Sequence, residues 1–270
     1  MTRTWALLLF LFVGTSLSAA ELKSKTIQAW DQYIQWANAK VRRELSDQGA
    51  FLIQNRLKPQ DRAAVQKQIE SNGIYVDTMK GVIPPGMDFK VPDGTIHHWW
   101  GTILLRNVSL ERLFQFLQDY DHHAGKFADV EKSELKSREG NHYIVSFRFR
   151  RTKFVTAVYN TIQDCRYTSY GLNRASSDSV ATRIAQVADP GKQSEHEMAP
   201  GQDDGYLWRL VSWWRYEQRG KDVIVELESA SLSRDIPWIV NVIPWLKGYI
   251  NSTPRESLES VLASIRKNVK

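Results

Sequence analysis

The spacing of apolar residues divides the chain into a helical start, a strand-rich middle and a helical end. Over residues 27–46, apolar side chains recur every three or four positions, which predicts an amphipathic helix: Trp30, Ile34, Ala37, Val41 and Leu45. A second helix is predicted from about Pro59 to just before Gly73, because proline fits the first turn of a helix and glycine commonly follows its end. We call these helices and the connector after them, residues 21–95, the annex.

Strand and helix signals alternate after the second helix. Glycine and proline punctuate the connector, with one short strand predicted at residues 74–77. A longer strand is predicted at residues 96–106. Ser109 then has the side chain of a helix N-cap, and Val108 can contact Leu113 across the first turn of the helix that follows.

A series of strands is predicted after this helix. Apolar residues alternate with polar ones at the two-residue period of a half-buried strand: Tyr143, Val145, Phe147 and Phe149. Further strands are predicted at residues 154–162, 180–187, 206–218 and 223–232. Gly220 and Lys221 are typical of a two-residue turn, so the last two strands are predicted to form a hairpin.

The chain is predicted to end in a helix that begins near Thr253. Thr253 and Glu256 have the spacing of a capping box, and Pro254 falls at the first helical position. The apolar residues that follow share one face: Leu258, Val261, Leu262 and Ile265. A long antiparallel strand series with helices gathered on one side indicates an α+β fold.

The predicted hairpin fixes which side chains share a face of the sheet. With Gly220–Lys221 as the turn, Arg215 pairs with Glu226 and Trp213 with Glu228. One face is then apolar: Trp208, Leu210, Trp214, Tyr216, Val223, Val225 and Leu227. The other face is largely charged: Arg209, Arg215, Glu217, Glu226 and Glu228. Because burying an aromatic side chain is worth about 4–6 kcal/mol gross, we expect the aromatic face to be the inner one.

Two interpretations of the charged face stay open at this point. It is either a solvated surface, where the pair of Arg215 and Glu226 contributes about 0.2–1 kcal/mol, or it lies with Trp213 against the annex or a polar ligand. The first interpretation predicts that exchanging Arg215 for Glu, and then restoring the pair with Glu226→Arg, leaves stability almost unchanged.

The first twenty residues have the organisation of a secretory signal peptide. Arg3 precedes an apolar run at residues 5–13, and small residues end at Ala20. The run is about half the length that a membrane-spanning helix needs. We therefore predict cleavage after Ala20 and a periplasmic or secreted protein, the alternative being a retained N-terminal anchor. Cys165 is the only cysteine, so no internal disulfide can form.

From residue 96 to the C-terminus the order of elements resembles the helix-grip fold of the START-like (SRPBCC) superfamily. The stretches that carry this resemblance are residues 116–120 with His122, 207–210, 213–216, 225–228, 232–237 and 254–258. The resemblance implies a curved antiparallel sheet around a long C-terminal helix, with an apolar cavity between them. It makes residues 96–270 the ligand-binding domain and leaves the two-helix annex outside the common core. Members of the superfamily include lipid carriers, hormone and allergen-type binders, and polyketide cyclases.

Candidate chemistry is sparse. No nucleophile motif or phosphate-binding glycine loop occurs, so we predict no catalytic residue and no cofactor. Cys165 is expected to be a buried thiol. His97 and His98 are neighbours in a strand and point to opposite faces, which disfavours a shared metal. The loop at residues 119–123 carries polar side chains, but polar loops are common and we predict no metal site.

One stretch is too hydrophobic for an exposed connector. Residues 236–246 contain two Ile-Pro-Trp units and either fold down as a core plug or form a gate at the cavity mouth that enters a bilayer. The predicted gate contacts are Trp238, Trp245 and Lys247. Residues 188–205 are rich in polar residues, proline and glycine, and are predicted to form a flap.

The leading functional hypothesis is binding, and in one version transfer, of a lipid or other apolar small molecule outside the cytoplasm. The predicted lining residues are Tyr143, Phe147, Trp208, Trp214 and Tyr216. Arg148 or Arg215 is predicted to contact a polar head group. A cyclase-like or hydrolase-like enzyme on the same fold is the alternative, and a protein-interaction module with a filled cavity is the third. The net charge of +6, which becomes +5 without Arg3 (6 − 1), allows peripheral membrane contact, and nucleic acid is not expected in this compartment.

Overall fold

The computed structural model describes residues 22–47, 49–79, 91–152, 156–235 and 244–269, with side chains of the last segment described from residue 253. Its helices are α1 (Ser24–Ser46), α2 (Pro59–Glu70), α3 (Leu110–Leu117) and α4 (Pro244–Asn268), with short 3-10 helices at Ile53–Arg56 and Tyr120–His122. The predicted signal peptide and Trp238 lie outside the described residues. Trp245 and Lys247 belong to α4, but their side chains are not described.

In the described part of the chain, nine strands form one antiparallel sheet. They are β1 (Tyr75–Thr78), β2 (Gly94–Leu105), β3 (Val130–Glu139), β4 (His142–Thr152), β5 (Thr156–Ser169), β6 (Arg174–Ala188), β7 (His196–Glu197), β8 (Arg209–Arg219) and β9 (Asp222–Arg234). The order across the sheet is β1-β2-β9-β8-β6-β5-β4-β3, with β7 paired to β6 beside this path. The α+β class predicted from the sequence is confirmed.

The hairpin between β8 and β9 has the predicted register, with Arg215 opposite Glu226 and Trp213 opposite Glu228. The start of α3 is also as predicted, because the Ser109 side chain accepts a hydrogen bond from the Arg112 backbone N–H at 3.1 Å. The predicted start of the last helix is wrong. It begins at Pro244 and continues through Pro254, although a proline inside a helix removes one backbone hydrogen bond. Complete burial of Leu258, Leu262 and Ile265 later in the helix offsets this cost.

The sheet curves around α4. Arg151, on β4, forms ion pairs or hydrogen bonds with Glu256 and Ser257 of α4. Near the other edge of the sheet, Gly101 of β2 lies so close to α4 that a Cβ atom on Gly101 would clash with the Leu258 side chain. Five strand spacings separate β4 from β2, which is about 24 Å in a flat sheet. Both strands reach one turn of α4 only because the sheet wraps the helix, as the helix-grip resemblance implied.

The annex covers the opposite face of the sheet. One side of α1 packs onto strands β8 and β9 in a single apolar cluster: Trp30, Tyr33, Ala37, Val41, Trp208, Val211, Trp213, Ala230 and Leu232. The 3-10 helix at Ile53–Arg56 and α2 pack beside it against Trp100 of β2. The sheet therefore has an outer face toward the annex and an inner face toward α4. Among the described helices, none combines the length and the hydrophobicity needed to cross a bilayer.

Candidate binding site on the inner face of the sheet

The strand register separates charged from uncharged side chains. Side chains directly opposite one another on neighbouring strands share a face, and successive residues of a strand alternate faces. Followed from β2 through β9, β8 and β6 to β5, the inner positions hold no Asp, Glu, Lys or Arg. The outer positions of β8 and β9 hold Arg215, Glu217, Glu226 and Glu228. The two faces thus have different chemistry.

The charged face is not a solvated surface. Arg215, Glu226 and Glu228 are fully buried beneath the annex. Arg215 donates to Glu228 at 2.9 Å through Nη1 and to Glu44 of α1 at 2.6 Å through Nη2. Lys40 of α1 reaches the same two carboxylates, at 2.8 Å from Glu228 and 3.2 Å from Glu44. The interpretation that placed this face against the annex is correct, and the solvated interpretation is wrong.

A tyrosine and a histidine complete the buried network around Glu228. His98 Nε2 donates to Glu228 at 2.9 Å, since a carboxylate can only accept. In a neutral imidazole, His98 Nδ1 then accepts from the Tyr33 hydroxyl at 2.6 Å. Burial alone would raise the pKa of Glu228, but Arg215, His98 and Lys40 hold that pKa well below its usual value. Glu228 is therefore ionised at neutral pH, between the annex and the sheet.

Glu226 is held differently. Its carboxylate accepts from the backbone N–H groups of Ile53 and Gln54 at 2.5 and 3.1 Å, and from the Gln54 side chain at 3.1 Å. It thereby caps the start of the 3-10 helix in the annex. Burial raises the pKa of Glu226 despite the opposing effect of Arg215 and the two amides. All of these polar atoms serve the contact between annex and sheet.

Of the seven predicted site residues, one lining residue and the two head-group candidates lie away from the inner face. Arg215 is committed to the outer-face network, so it cannot meet a head group on the inner face. Trp208 packs against α1 on the outer side and does not join Trp214 on the inner face. It precedes β8, so the two-residue alternation of that strand does not extend to it. Arg148 is on the outer face too, bonded to Glu131 at 2.9 Å and Glu195 at 3.0 Å.

The other four predicted lining residues do lie on the inner face. Tyr143 and Phe147 share a cluster with Tyr120, which follows α3. Trp214 and Tyr216 stack with ring centroids 6.2 Å apart, and Phe114 of α3 meets the Tyr216 ring edge-on at 5.2 Å. A role for these residues in ligand binding stays a prediction.

Sequence reasoning missed a row of small polar side chains between these aromatic groups. Across the sheet, Cys165, Ser179, Ser212 and Ser229 pair in register on β5, β6, β8 and β9. Tyr143 flanks the row on β4 and Trp99 flanks it on β2. We call these six residues the polar row. Serine gives little sequence signal, and β6 was predicted to begin only at Val180, so Ser179 fell outside any predicted strand.

Most residues of the polar row are partly accessible to solvent. Ser179, Ser212, Ser229 and Trp99 are half-buried, as is Trp214 two residues along β8, whereas Tyr143 and Cys165 are buried. By contrast, Trp213 between Ser212 and Trp214 is buried on the outer side of the same strand. Around these residues β8 and β9 are more accessible on their inner face than on their outer face, and we call this accessible region of the inner face the opening.

The titratable groups close to this opening are neutral. Burial lowers the pKa of His97, which accordingly carries no charge at neutral pH. Burial also lowers the pKa of His123, to about 4, and raises the pKa of the Cys165 thiol. His97 and His98 point to opposite faces, as predicted: His97 meets Ser233 at 3.1 Å and His98 meets Glu228. No group of metal-ligating side chains occurs among the described residues.

Part of the predicted flap at residues 188–205 is tied to the outer face. It contains β7, whose Glu197 opposes Val187 of β6 and accepts from Asn160 at 2.8 Å. Glu195 pairs with Arg148. These contacts place residues 195–197 on the outer face. Asp204, near the end of the segment, instead bonds to the Gln186 side chain through its carboxylate and its backbone N–H. Gln186 pairs with Tyr159 at an inner position of β6, so the segment is not confined to the outer face.

Comparisons with known proteins give distant structural neighbours. No family model and no curated protein sequence matches the chain. A STAR-related lipid transfer protein from Xanthomonas axonopodis aligns at 12% identity and a TM-score of 0.45, covering 67% of this chain and 95% of that one. A START superfamily protein from Mycobacterium smegmatis aligns at 10% identity and 0.41, covering 64% and 97%. The Zhui aromatase/cyclase from Streptomyces aligns at 13% identity and 0.39, covering 65% and 97%.

Proposed function

We propose that this protein is exported from the cytoplasm and binds an apolar small molecule between the inner face of its sheet and α4. The observation that carries the proposal is the reversed exposure of the central strands. In β8, Trp213 is buried under the annex while Ser212 and Trp214, on the inner face, stay half-buried. Protein interiors are close-packed, so half-exposed aromatic side chains on the core side of a central strand mark space for another molecule.

The lining suits an apolar ligand. The inner face supplies aromatic rings from β2, β4 and β8 and aliphatic side chains from β9, with no charge from β2 to β5. Binding pockets for small molecules usually combine such a lining with a few polar groups that fix orientation. The annex supports the site indirectly, because it buries the central outer positions of β8 and β9, so that Ser212, Trp214 and Ser229 on the inner face are the more accessible ones.

A solvent extraction tests the binding proposal. The full-length gene is expressed in cells that export it, the mature protein is purified without detergent, and the organic extract is analysed by mass spectrometry. We expect a co-purifying apolar compound in near-stoichiometric amount. Ser229→Leu, which fills the space in front of the polar row, should reduce the amount at least about tenfold, whereas Ser137→Leu at an exposed position of β3 should not.

Two results would contradict the proposal. A folded protein that yields no compound and takes up no neutral apolar dye has no such site. Equal yields from Ser229→Leu and wild type would place the ligand elsewhere. The export half is tested separately by mass spectrometry of the intact mature chain, where a terminus at Glu21 is expected and an intact Met1 terminus would refute it.

A further inference from the structure

Among the buried hydroxyl groups on the inner face that have no hydrogen-bond partner in the described residues, two lie close to the polar row. They are Tyr143 Oη and Thr161 Oγ1, in side chains that are each 1% exposed. Tyr143 ends the polar row on β4, and Thr161 lies two residues from Gln163 on the inner face of β5. A buried hydroxyl without a partner lowers stability, and such a group in a native protein commonly meets a water molecule or a ligand.

The polar row also retains hydrogen-bonding capacity. Ser179 donates to Gln163 Oε1 at 2.7 Å, and Ser212 donates to Ser229 at 3.3 Å. A hydroxyl has two acceptor lone pairs besides its donor, so these serines can still accept. No described residue accepts from Gln163 Nε2. Donors and acceptors are thus both available within one part of the inner face.

None of these groups is charged, and no Lys or Arg occupies an inner position of β2, β9, β8, β6 or β5. Arg215 is on the outer face, and Arg151, at the end of β4, is engaged by Asp129, Glu256 and Ser257. Arg138 lies at the exposed edge strand with its guanidinium 4.9 Å from the Tyr143 ring centroid. An ionised carboxylate or phosphate beside Ser179, Ser212 and Gln163, away from the Tyr143 end of the row, would therefore lose its hydration without gaining a counter-ion, which is strongly unfavourable.

We infer that the ligand carries an uncharged hydroxyl or carbonyl group, and that this group lies against the polar row beside Ser179, Ser212 and Gln163. The ligand class is accordingly a neutral amphiphile, such as an alcohol or an ester, and not a fatty acid anion or a phosphate-bearing lipid. This inference rests on the proposed function and narrows its ligand.

The test uses two probes of equal chain length that differ in charge. Nile red, a neutral apolar dye, is bound to the mature protein and displaced at pH 8 by 1-dodecanol or by dodecanoate. We expect 1-dodecanol to displace the dye at a concentration at least about tenfold lower than dodecanoate, because only the alcohol enters the row without an unpaired charge. The double variant Ser212→Ala/Ser229→Ala should lose most of this preference while still binding Nile red.

A charged variant gives a second, independent readout. Ser212→Lys places a cation in the polar row and should invert the preference, so that dodecanoate becomes the better competitor. Ser137→Ala on exposed β3 is the matched control and should behave as wild type. Equal or tighter binding of dodecanoate by wild type, or an unchanged ratio in both row variants, would overturn the inference and leave the proposed function standing. Failure of both the dye and the alcohol to bind would overturn the proposed function itself.

Discussion

Arg215 Nη2 lies 2.6 Å from Glu44 Oε2, although 171 positions separate the two residues in the chain. Glu44 is near the end of α1 in the annex, and Arg215 is in the middle of β8. Both side chains are buried, so their contact lies inside the molecule. Removing one partner there leaves the other charge buried and unpaired. The annex is therefore joined to the sheet by groups that cannot be exposed or unpaired without cost.

The first prediction concerns the two hydrogen bonds that the Arg215 guanidinium donates to Glu228 and Glu44. Arg215→Lys keeps the charge, but a single ammonium group cannot reproduce the planar fork that reaches Glu228 and Glu44 together. We expect the free energy of unfolding to fall by about 1–3 kcal/mol, measured by urea denaturation. Arg219→Lys, at an exposed position beside Glu217, should change it by less than about 0.5 kcal/mol. Equal effects of the two substitutions would show that the buried fork is unimportant.

The second prediction concerns the stability of the protein at acid pH. Because the pKa of Glu228 in the folded protein lies well below the unfolded value of about 4.3, its contribution to stability is complete above that pH. It is lost as the pH falls through the folded pKa. Glu228→Gln should lower the free energy of unfolding by about 3–5 kcal/mol at pH 7, because Arg215 and Lys40 then share Glu44 alone.

The measurement is the difference in unfolding free energy between wild type and Glu228→Gln from pH 7 down to pH 3. The difference should be constant at neutral pH and shrink in acid. Glu226 works in the opposite direction, since its raised pKa gives a contribution that is present below about pH 4.3 and lost as the pH rises through the folded pKa. Glu226 is present in both wild type and Glu228→Gln, so its titration does not by itself make the difference in unfolding free energy between them shrink. A difference that grows in acid would contradict the assignment.

Local signals explain what the sequence predicted well. The register of the β8–β9 hairpin follows from Gly220–Lys221 and a two-residue period, and the structure reproduces it. The inner positions of Tyr143, Phe147, Trp214 and Tyr216 follow from the same alternation. The charged face could not be assigned from these signals, because its partners Lys40 and Glu44 lie far away along the chain and α1 looks like any amphipathic helix.

Competing signals explain the misses. β3 is a largely exposed edge strand, so it lacks the apolar alternation that reveals a half-buried strand. The capping box at Thr253 is locally convincing, but α4 passes through it. The polar row is visible only once six strands are placed in register, because serine at a single position of a strand indicates nothing. Local signals in the sequence therefore predict much of the fold, whereas the candidate site can be recognised only from the tertiary arrangement.

A third prediction concerns the closest approach of β2 to α4. A Cβ atom at Gly101 would clash with the Leu258 side chain and lie 2.8 Å from the Tyr75 carbonyl oxygen. Because part of this clash is with backbone, Gly101→Ala should lower the free energy of unfolding by about 1–3 kcal/mol. Gly49→Ala, whose Cβ would meet only the Asp47 carboxylate at 3.5 Å, is the matched control and should change stability little. A stable Gly101→Ala protein would mean that α4 readily moves away from β2.

The last prediction is that the annex and the sheet unfold together. Because α1 shares an apolar cluster with β8 and β9 and buries Glu44 against Arg215, undocking it would expose both the cluster and the ion network. Hydrogen exchange followed by mass spectrometry should therefore give the slowest amides of residues 24–46 and of residues 222–234 the same opening free energy. Ala37→Leu, which overpacks a completely buried position, should lower both values by about 1–3 kcal/mol, while Gln35→Leu on the exposed side of α1 should lower neither. If the amides of α1 open at a distinctly lower free energy than those of β9, the annex is instead a detachable cover, and the outer face of the sheet becomes accessible without global unfolding.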